Sequence, residues 1–262
     1  MKARADKVMV DRGLAESRQR AQALIMAGLV FSGDARIEKS GQKVDLDQAI
    51  SVKEPMPFVG RGGLKLAGAL ERFGISAEGK TAADLGCSTG GFTDCLLQEG
   101  ARKVYAVDVD TRQLDWRLRE DPRVILIEKN ARYLERGDFA DTLDLVTADL
   151  SFISILKILP AVKDFIGMGL LVALIKPQFE VGKGQVGKKG IVRDPSLHES
   201  VLVRMIEEGE KIGFHAVDLT KSLIRGQKGN REFFLLWSRK KPALMPERMK
   251  TLIEEVVQDE QN

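Results

Sequence analysis

The sequence predicts a two-domain protein of the α/β class, in which a small α+β unit precedes a doubly wound sheet of seven strands. Beyond residue 60, short apolar segments alternate with helical segments, the pattern of a parallel sheet with helices on both faces. Before residue 54 the elements are shorter, and Glu54-Pro55-Met56-Pro57 interrupts regular structure between the two regions. We therefore predict a first domain over residues 1–54, a linker over 55–59, a second domain over 60–241 and a helical tail over 242–262.

The first domain is predicted to pack two helices on a small curled sheet. One helix covers Ala5–Asp11 and the next covers Ser17–Ala27, with Ser17 as the N-cap and Gly28 as the stop signal. A turn at Gly33-Asp34 and short apolar segments around Ile37, Val44, Leu46 and residues 50–52 predict the strands.

The second domain is predicted to have seven strands and five helices, the order of a Rossmann-like sheet whose last strand pairs antiparallel with its neighbours. The predicted strands are Thr81–Leu85, Val104–Val107, Val124–Ile127, Leu143–Thr147, Leu170–Ile175, His215–Thr220 and Phe233–Trp237. The predicted helices are Leu64–Phe73, Gly91–Glu99, Arg112–Arg119, Ile153–Ile166 and Leu197–Ile212. The tail beyond residue 241 has the spacing of an amphipathic helix, which could dock on this chain or on a partner.

Composition excludes several classes of protein. Two cysteines, Cys87 and Cys95, do not make a disulfide framework and indicate a reducing compartment, so we expect a cytoplasmic protein. The chain shows no export leader, and its longest apolar run, residues 165–175, is shorter than the roughly 20 residues of a membrane helix, so we expect no membrane association. His198, His215 and the two cysteines lack metal-ligand spacing, and we expect no metal.

A glycine-rich turn between the first strand and its helix predicts a cofactor site, because an open α/β sheet binds ligands at the carboxyl ends of its strands. The predicted cofactor-binding residues of this turn are Asp84, Gly86, Ser88, Thr89, Gly90, Gly91 and Phe92. The acidic Asp84 would repel a pyrophosphate but suits the amino group of a methionine moiety, and no G-x-G-x-x-G is present, which disfavours NAD.

Two further residues extend this cofactor prediction. Asp108 ends the second strand, where an acid accepts hydrogen bonds from the ribose hydroxyls of a nucleoside cofactor. Asn130 follows the third strand and is a candidate for the adenine, although an asparagine that caps a strand is the more ordinary interpretation. Together the features favour S-adenosylmethionine over the alternative of an unrelated glycine turn and aspartate.

Four charged residues are predicted to meet at the same edge of the sheet. Asp149 and Lys176 follow the fourth and fifth strands, Glu232 begins the last strand, and Lys65 lies on the helix that precedes the first strand. Each residue alone would more often be a surface salt-bridge partner. Their joint placement predicts a catalytic site.

These segments resemble a known family. The quartet Lys65, Asp149, Lys176 and Glu232 is similar to the Lys-Asp-Lys-Glu tetrad of FtsJ-like ribose 2′-O-methyltransferases, and the segments around Arg4 and Ser17-Arg18-Gln19-Arg20 resemble an S4 RNA-binding domain. An S4 domain joined to Gly60-Arg61-Gly62-Gly63-Leu64-Lys65, Gly86-Cys87-Ser88-Thr89-Gly90-Gly91-Phe92 and Lys176-Pro177-Gln178-Phe179-Glu180 resembles the TlyA family. Cys87 and Gly60 stand where alanine and serine are usual in that family.

The resemblance implies an S-adenosylmethionine-dependent ribose 2′-O-methyltransferase that acts on cytidine of ribosomal RNA within ribosomal subunits. Methyl transfer to a hydroxyl needs a positioned and deprotonated oxygen, and Lys176 is the candidate base. Burial or the neighbouring Lys65 would favour its neutral amine, whereas Asp149 and Glu232 favour the ammonium form, so its protonation state stays open. Lys65 could alternatively hold the developing alkoxide or a phosphate.

Two basic regions are candidates for RNA binding, although the formal net charge is only +3. The predicted contacts are Arg4, Lys7, Arg18, Arg20, Arg61, Lys188 and Lys189. The last two lie in a glycine-rich and lysine-rich segment, residues 181–190, that is either a loop closing on RNA or an ordinary solvated loop. Phe152 and Phe179 could stack on a base, but core packing is favoured for either.

Three alternatives remain at this stage. The TlyA family carries a historical hemolysin name, so one alternative is a membrane-active protein. A second is an RNA-binding protein whose methyltransferase domain is inactive, and a third is a pseudouridine synthase, which would leave the glycine-rich turn unexplained. The sequence leaves the modified nucleotide and the oligomeric state open.

Overall fold

The N-terminal unit forms around a small core beneath two helices, α1 (Ala5–Asp11) and α2 (Arg18–Met26). Ser17 caps α2 by accepting a hydrogen bond of 3.1 Å from the Arg20 amide, and Gly28 ends it with a φ of +73°. The strands are β1 (Lys2–Arg4), β2 (Val30–Ser32), β3 (Ala35–Arg36), β4 (Lys43–Asp45) and β5 (Ile50–Val52). They pair as β1-β4 and β3-β2-β5, all antiparallel, so the predicted α+β architecture of this unit is confirmed.

The computed structural model describes residues 2–53, 56–182, 184–226, 228–240 and 245–258, apart from the side chains of Lys188 and Pro246. Contacts within the chain divide it into two compact units between Met56 and Pro57. This division falls inside the segment predicted as the linker, and the exact domain limits stay a prediction.

A seven-stranded sheet organises the second unit, and it confirms the predicted fold class. Its strands are β6 (Thr81–Leu85), β7 (Lys103–Asp108), β8 (Val124–Glu128), β9 (Leu145–Ala148), β10 (Leu170–Ile175), β11 (His215–Lys221) and β12 (Phe233–Ser238). Their order is β11-β12-β10-β9-β6-β7-β8, and β12 is antiparallel to both of its neighbours. Strands β6 and β10 are buried on both faces, which explains why β10 is a continuous apolar run rather than an alternating one.

Helices cover both faces of this sheet. They are α3 (Arg61–Phe73), α4 (Gly91–Gln98), α5 (Trp116–Arg119), α6 (Leu159–Phe165), α7 (Pro177–Glu180), α8 (Pro195–Ile212) and α9 (Pro246–Gln258). Two predicted helices are shorter than expected. Residues 112–119 are divided between a 3₁₀ turn and α5 because the Asp115 carboxylate caps a new helix, and residues 153–166 are divided similarly after Ser154 caps a 3₁₀ turn.

The C-terminal helix α9 docks on its own chain. Its apolar face, Met249, Leu252, Ile253 and Val257, is buried in the same core as β11 and α8. Arg231 donates a hydrogen bond of 2.7 Å to the Val257 carbonyl, which ties the end of this helix to the residue before Glu232. The question that the sequence left open is therefore settled in favour of packing on the chain itself.

Sheet topology decides where the functional side chains lie. The strands β6, β7, β9 and β10 run parallel, so their carboxyl ends share one edge of the sheet. Because β12 runs in the opposite direction, the segment that leads into it begins at this same edge. In the described part of the chain, no helix is long and apolar enough to cross a membrane.

Candidate active site

A cavity of about 660 Å³ opens at this edge of the sheet. It is lined by residues from the glycine-rich turn, from the ends of β9 and β10, from the start of α3 and from the loop before β12. These include all four charged residues predicted to be catalytic, together with Gly86, Ser88, Thr89, Gly91 and Phe92. The topology thus brings together residues that are up to 167 positions apart in the sequence.

The glycine-rich turn is shaped by close approaches of the backbone. Gly86 has a φ of +86°, and a Cβ atom there would lie 2.7 Å from the Asp149 carbonyl oxygen. Gly90 has a φ of +99°, and a side chain there would collide with Leu118. Ser88 adopts a φ of +48°, and its amide donates a hydrogen bond of 2.9 Å to Asp108. This closely packed turn, which we call the glycine cradle, borders the cavity through Gly86, Ser88, Thr89 and Gly91.

Asp84 is fully buried and does not line the cavity. Its carboxyl accepts a hydrogen bond of 2.7 Å from the Thr93 hydroxyl, and burial raises its pKa to about 7. Asn130 likewise does not line the cavity, and its side chain caps a 3₁₀ turn by accepting from the Arg132 amide. Asp84 therefore supports the turn from below, and the predicted cofactor contacts of both residues stay predictions.

The four charged residues form two lysine–carboxylate pairs. Lys65 Nζ lies 2.5 Å from Glu232 Oε2, with side chains only 11% and 3% exposed. Lys176 Nζ lies 2.5 Å from Asp149 Oδ1, with side chains 11% and 22% exposed. The second contact lacks the angles of a hydrogen bond, since Asp149 Oδ1 has no hydrogen-bond partner among the described residues. Both pairs lie in the cavity wall and are largely buried, so they differ from exposed surface salt bridges.

Local packing explains the position of the first pair. Lys65 lies in the second turn of α3. This helix can approach α4 closely because Gly91 has no side chain, and a Cβ there would lie only 2.9 Å from the Gly63 amide. Glu232 immediately precedes β12 rather than beginning it. Its carboxylate is covered by the backbone of Gly226, where a Cβ would lie 2.3 Å from Oε1.

Several polar residues of the cavity were not predicted from the sequence. They are Ser151, Gln178, Arg225, Lys228 and Asn230. Asn230 is buried, accepts a hydrogen bond from the Val192 amide and donates one to the Gly190 carbonyl, so it joins the loop before β12 to the end of the glycine-rich and lysine-rich segment. The Gly-x-x-Gly-Asn spacing before Glu232 was the signal in the sequence that could have predicted an ordered loop here.

Phe152 is not a core residue, contrary to the favoured prediction. Its side chain is 90% exposed at the cavity wall, and its φ of +65° is unusual for a residue other than glycine. Its ring centroid lies 5.1 Å from that of Phe179, which is partly buried. An exposed aromatic ring beside paired charges is suited to stacking on a flat ligand.

The predicted RNA-binding residues fall into three groups. Arg4 and Arg18 both donate hydrogen bonds of 3.0 Å to the buried carboxylate of Asp6, so they have a structural partner as well as an exposed surface. Lys7, Arg20 and Lys189 are exposed. Arg61 lines the cavity and donates to the Arg225 carbonyl. The side chain of Lys188 lies outside the described part of the chain.

Both cysteines are buried and free, with no disulfide bond between them. Burial raises the pKa of the Cys87 thiol well above its ordinary value. Cys87 lines the cavity as a small apolar group. Within the described residues, no group of three or more histidine, cysteine or acidic side chains is placed to hold a metal ion.

The fold and the cavity together define the class of protein, which is an α/β enzyme of the methyltransferase type that follows a small N-terminal unit in the sequence. The model of the FtsJ-like methyltransferases matches residues 58–239, and that of the S4 domain matches residues 3–50. A candidate rRNA methyltransferase of Bacillus subtilis, YqxC, is 48% identical over 238 residues, which cover 89% of this chain and 85% of the relative. The chain belongs to the TlyA family, whose members join an S4 domain to an FtsJ-like methyltransferase domain.

Two further relatives agree with this assignment. The 16S/23S rRNA (cytidine-2′-O)-methyltransferase TlyA of Mycobacterium tuberculosis is 44% identical over 242 residues, covering 91% of this chain and 90% of its own. The solved structure of a candidate hemolysin from Streptococcus thermophilus has a TM-score of 0.75 and 41% identity, and the match covers 98% of this chain and 96% of that one. The family resemblance seen in the sequence is thereby confirmed.

Proposed function

We propose that this protein transfers a methyl group from S-adenosylmethionine to the ribose 2′-hydroxyl of a cytidine in ribosomal RNA, within ribosomal subunits and therefore in the cytoplasm. The observation that carries the proposal is the meeting of two lysine–carboxylate pairs in a single cavity beside the glycine cradle. The names of the rRNA-modifying relatives supply the choice of nucleoside and of RNA.

The cradle fits the nucleoside end of this cofactor. Both oxygens of Asp108 accept backbone N–H groups, from Ser88 and Asp110, which fixes the carboxylate while its remaining lone pairs are available for ribose hydroxyls. Val109, an apolar residue 64% exposed, follows it directly and offers a surface for the adenine. Gly86 and Gly91 line the cavity without side chains, so a ligand can approach the backbone there closely. When bound there, the cofactor supplies an electrophilic methyl group.

Lys176, as the neutral amine, acts as the base that removes the 2′-hydroxyl proton, and Asp149, whose Oδ1 lies 2.5 Å from Nζ, stabilises the ammonium group that results. An oxygen that loses its proton develops negative charge, and Lys65 provides a fixed positive charge on the same cavity wall. Glu232 fixes Lys65 through the contact of 2.5 Å. The burial of both pairs limits competing contacts with water, so the four groups keep their positions as the proton moves.

The RNA strand enters past a basic rim formed by Arg61, Arg225 and Lys228, whose charges suit backbone phosphates. The target base stacks on the exposed ring of Phe152. In the N-terminal unit, the exposed Lys7 and Arg20 contact structured RNA at a distance from the reaction site.

Incubation of the full-length protein with S-adenosylmethionine and ribosomal subunits that lack the modification tests this proposal. Nucleoside analysis by mass spectrometry is expected to show 2′-O-methylcytidine. Methylation confined to a base, or none in subunits despite measured cofactor binding, would contradict it, and the second result would favour an RNA-binding protein with an inactive domain.

A further inference from the structure

Ser151 lies two residues after Asp149 and lines the cavity with an exposed side chain. Lys176 Nζ donates a hydrogen bond of 3.1 Å to its hydroxyl oxygen. The neighbouring residue, Phe152, has its strained φ of +65° at this point, so the turn after β9 is bent where Ser151 meets Lys176.

The hydrogen bond to Ser151 fixes the orientation of the Lys176 amine, whereas the contact with Asp149 does not. Asp149 Oδ1 is close enough to attract the amine but is not aligned to accept a hydrogen bond from it. Within the described ranges, the hydroxyl of Ser151 is the one hydrogen-bond acceptor of Lys176 Nζ. An amine nitrogen has tetrahedral directions, so fixing one N–H bond restricts rotation about the Cε–Nζ bond and with it the direction of the lone pair.

The segment that carries Ser151 is held against the segment that carries Lys176. Glu180, three residues beyond Pro177 at the end of α7, is buried and accepts hydrogen bonds from the Ser154 hydroxyl at 2.6 Å and from the Ile155 amide at 2.8 Å. Arg204 contacts the same carboxylate at 3.5 Å. The turn after β9 and the turn after β10 are therefore linked side by side, which keeps the serine and the lysine in register.

We propose that Ser151 is a positioning residue, whose hydroxyl orients the Lys176 amine so that its lone pair faces the ribose hydroxyl in the cavity. This inference rests on the proposed function, in which Lys176 is the base. Ser151 itself takes no proton in this role, and it acts on the reaction only through the lysine.

Steady-state kinetics of Ser151→Ala and Ser151→Thr with the full-length protein test this role. The alanine variant is expected to lose about tenfold in kcat, the scale of one directed hydrogen bond, with KM for RNA and the cofactor Kd within about twofold of wild type. The threonine variant keeps the hydroxyl and is expected to retain most of the rate. Ser200→Ala, which changes an exposed serine on α8, is the matched control.

A double-substitution cycle separates this role from a general structural one. If Ser151 acts through Lys176, adding Ser151→Ala to Lys176→Ala causes no further loss, because the group that it orients is already absent. A further tenfold loss in that background, an unchanged kcat in Ser151→Ala, or a change confined to KM for RNA would each overturn the inference. An unaffected rate in Lys176→Ala would instead refute the proposed mechanism.

Discussion

Replacing Gly226 with alanine displaces Glu232 without changing any of the four charged side chains. The new Cβ would lie 2.3 Å from Glu232 Oε1, whereas ordinary contact begins near 3.4 Å, so the carboxylate must retreat by about 1 Å. Glu232 Oε2 lies 2.5 Å from Lys65 Nζ, and this shift takes the pair beyond good hydrogen-bond distance. A displacement of about 1 Å in a reaction site costs roughly 10²-fold in rate, which is the loss in kcat that we expect.

The backbone itself tolerates this substitution, because Gly226 does not have a positive φ and alanine keeps the N–H that donates a hydrogen bond to the Asn230 carbonyl oxygen. We expect overpacking to lower the free energy of unfolding by about 1–3 kcal/mol, leaving the fold intact in circular dichroism. Gly137→Ala is the control, because nothing lies within 4 Å of its Cβ. A folded Gly226→Ala protein with the wild-type rate would refute the reasoning, as would a Gly226→Ala/Glu232→Ala double variant much slower than Glu232→Ala alone.

Three further perturbations have expected outcomes. The pKa of Asp84 is raised from 3.8 to about 7, so the folded state keeps a proton that the unfolded chain has lost, and this group's contribution to stability falls as pH rises from about 4 to about 7. Asp84→Asn should remove roughly 3 kcal/mol of that pH dependence between urea unfolding at pH 5 and at pH 8, and an unchanged difference between the two pH values would contradict it. Hydrogen bonds from Arg4 hold the pKa of Asp6 far below its usual range, so the contribution of Asp6 to the stability of the fold is present above about pH 4 and is lost as the pH falls. Asp6→Asn should therefore make the N-terminal unit more sensitive to proteolysis at neutral pH. Equal rates of cleavage for the variant and the wild type would be inconsistent with this. Phe152→Ala should leave the unfolding temperature nearly unchanged yet lower kcat/KM for RNA by about 10- to 100-fold, with Phe152→Trp near wild type, and a loss of stability in place of activity would show a packing role instead.

The fold was largely predictable because its signals are long and redundant. The buried strands β6 and β10 have the predicted bounds, β10 is a continuous apolar run, and alternation with helices specified a parallel sheet. Strand β1 was missed because Lys2–Arg4 is short, polar and partly exposed. The short helix α7 was missed because four residues, the first of them a proline, are too few to show periodicity.

The candidate site was predictable only where strand ends fixed it. Asp149 and Lys176 follow adjacent parallel strands, so their approach to 2.5 Å was implied by topology. Ser151 and Asn230 lie in turns whose geometry depends on contacts distant in sequence, and no local pattern reports those contacts. The sequence shows the charge of Arg4, but its bond to the buried Asp6 depends on how α1 begins.

The most direct test of the central proposal is transfer of a tritiated methyl group from S-adenosylmethionine to ribosomal subunits of a strain without this enzyme, by wild type, Lys176→Ala and Asp149→Ala. We expect alkali-resistant labelled dinucleotides with wild type, because ribose 2′-O-methylation blocks alkaline cleavage. We expect a loss of at least about 10²-fold with each variant, because Lys176 is the base and Asp149 is its charged partner. Labelled but alkali-sensitive RNA, or undiminished label with both variants, would contradict it.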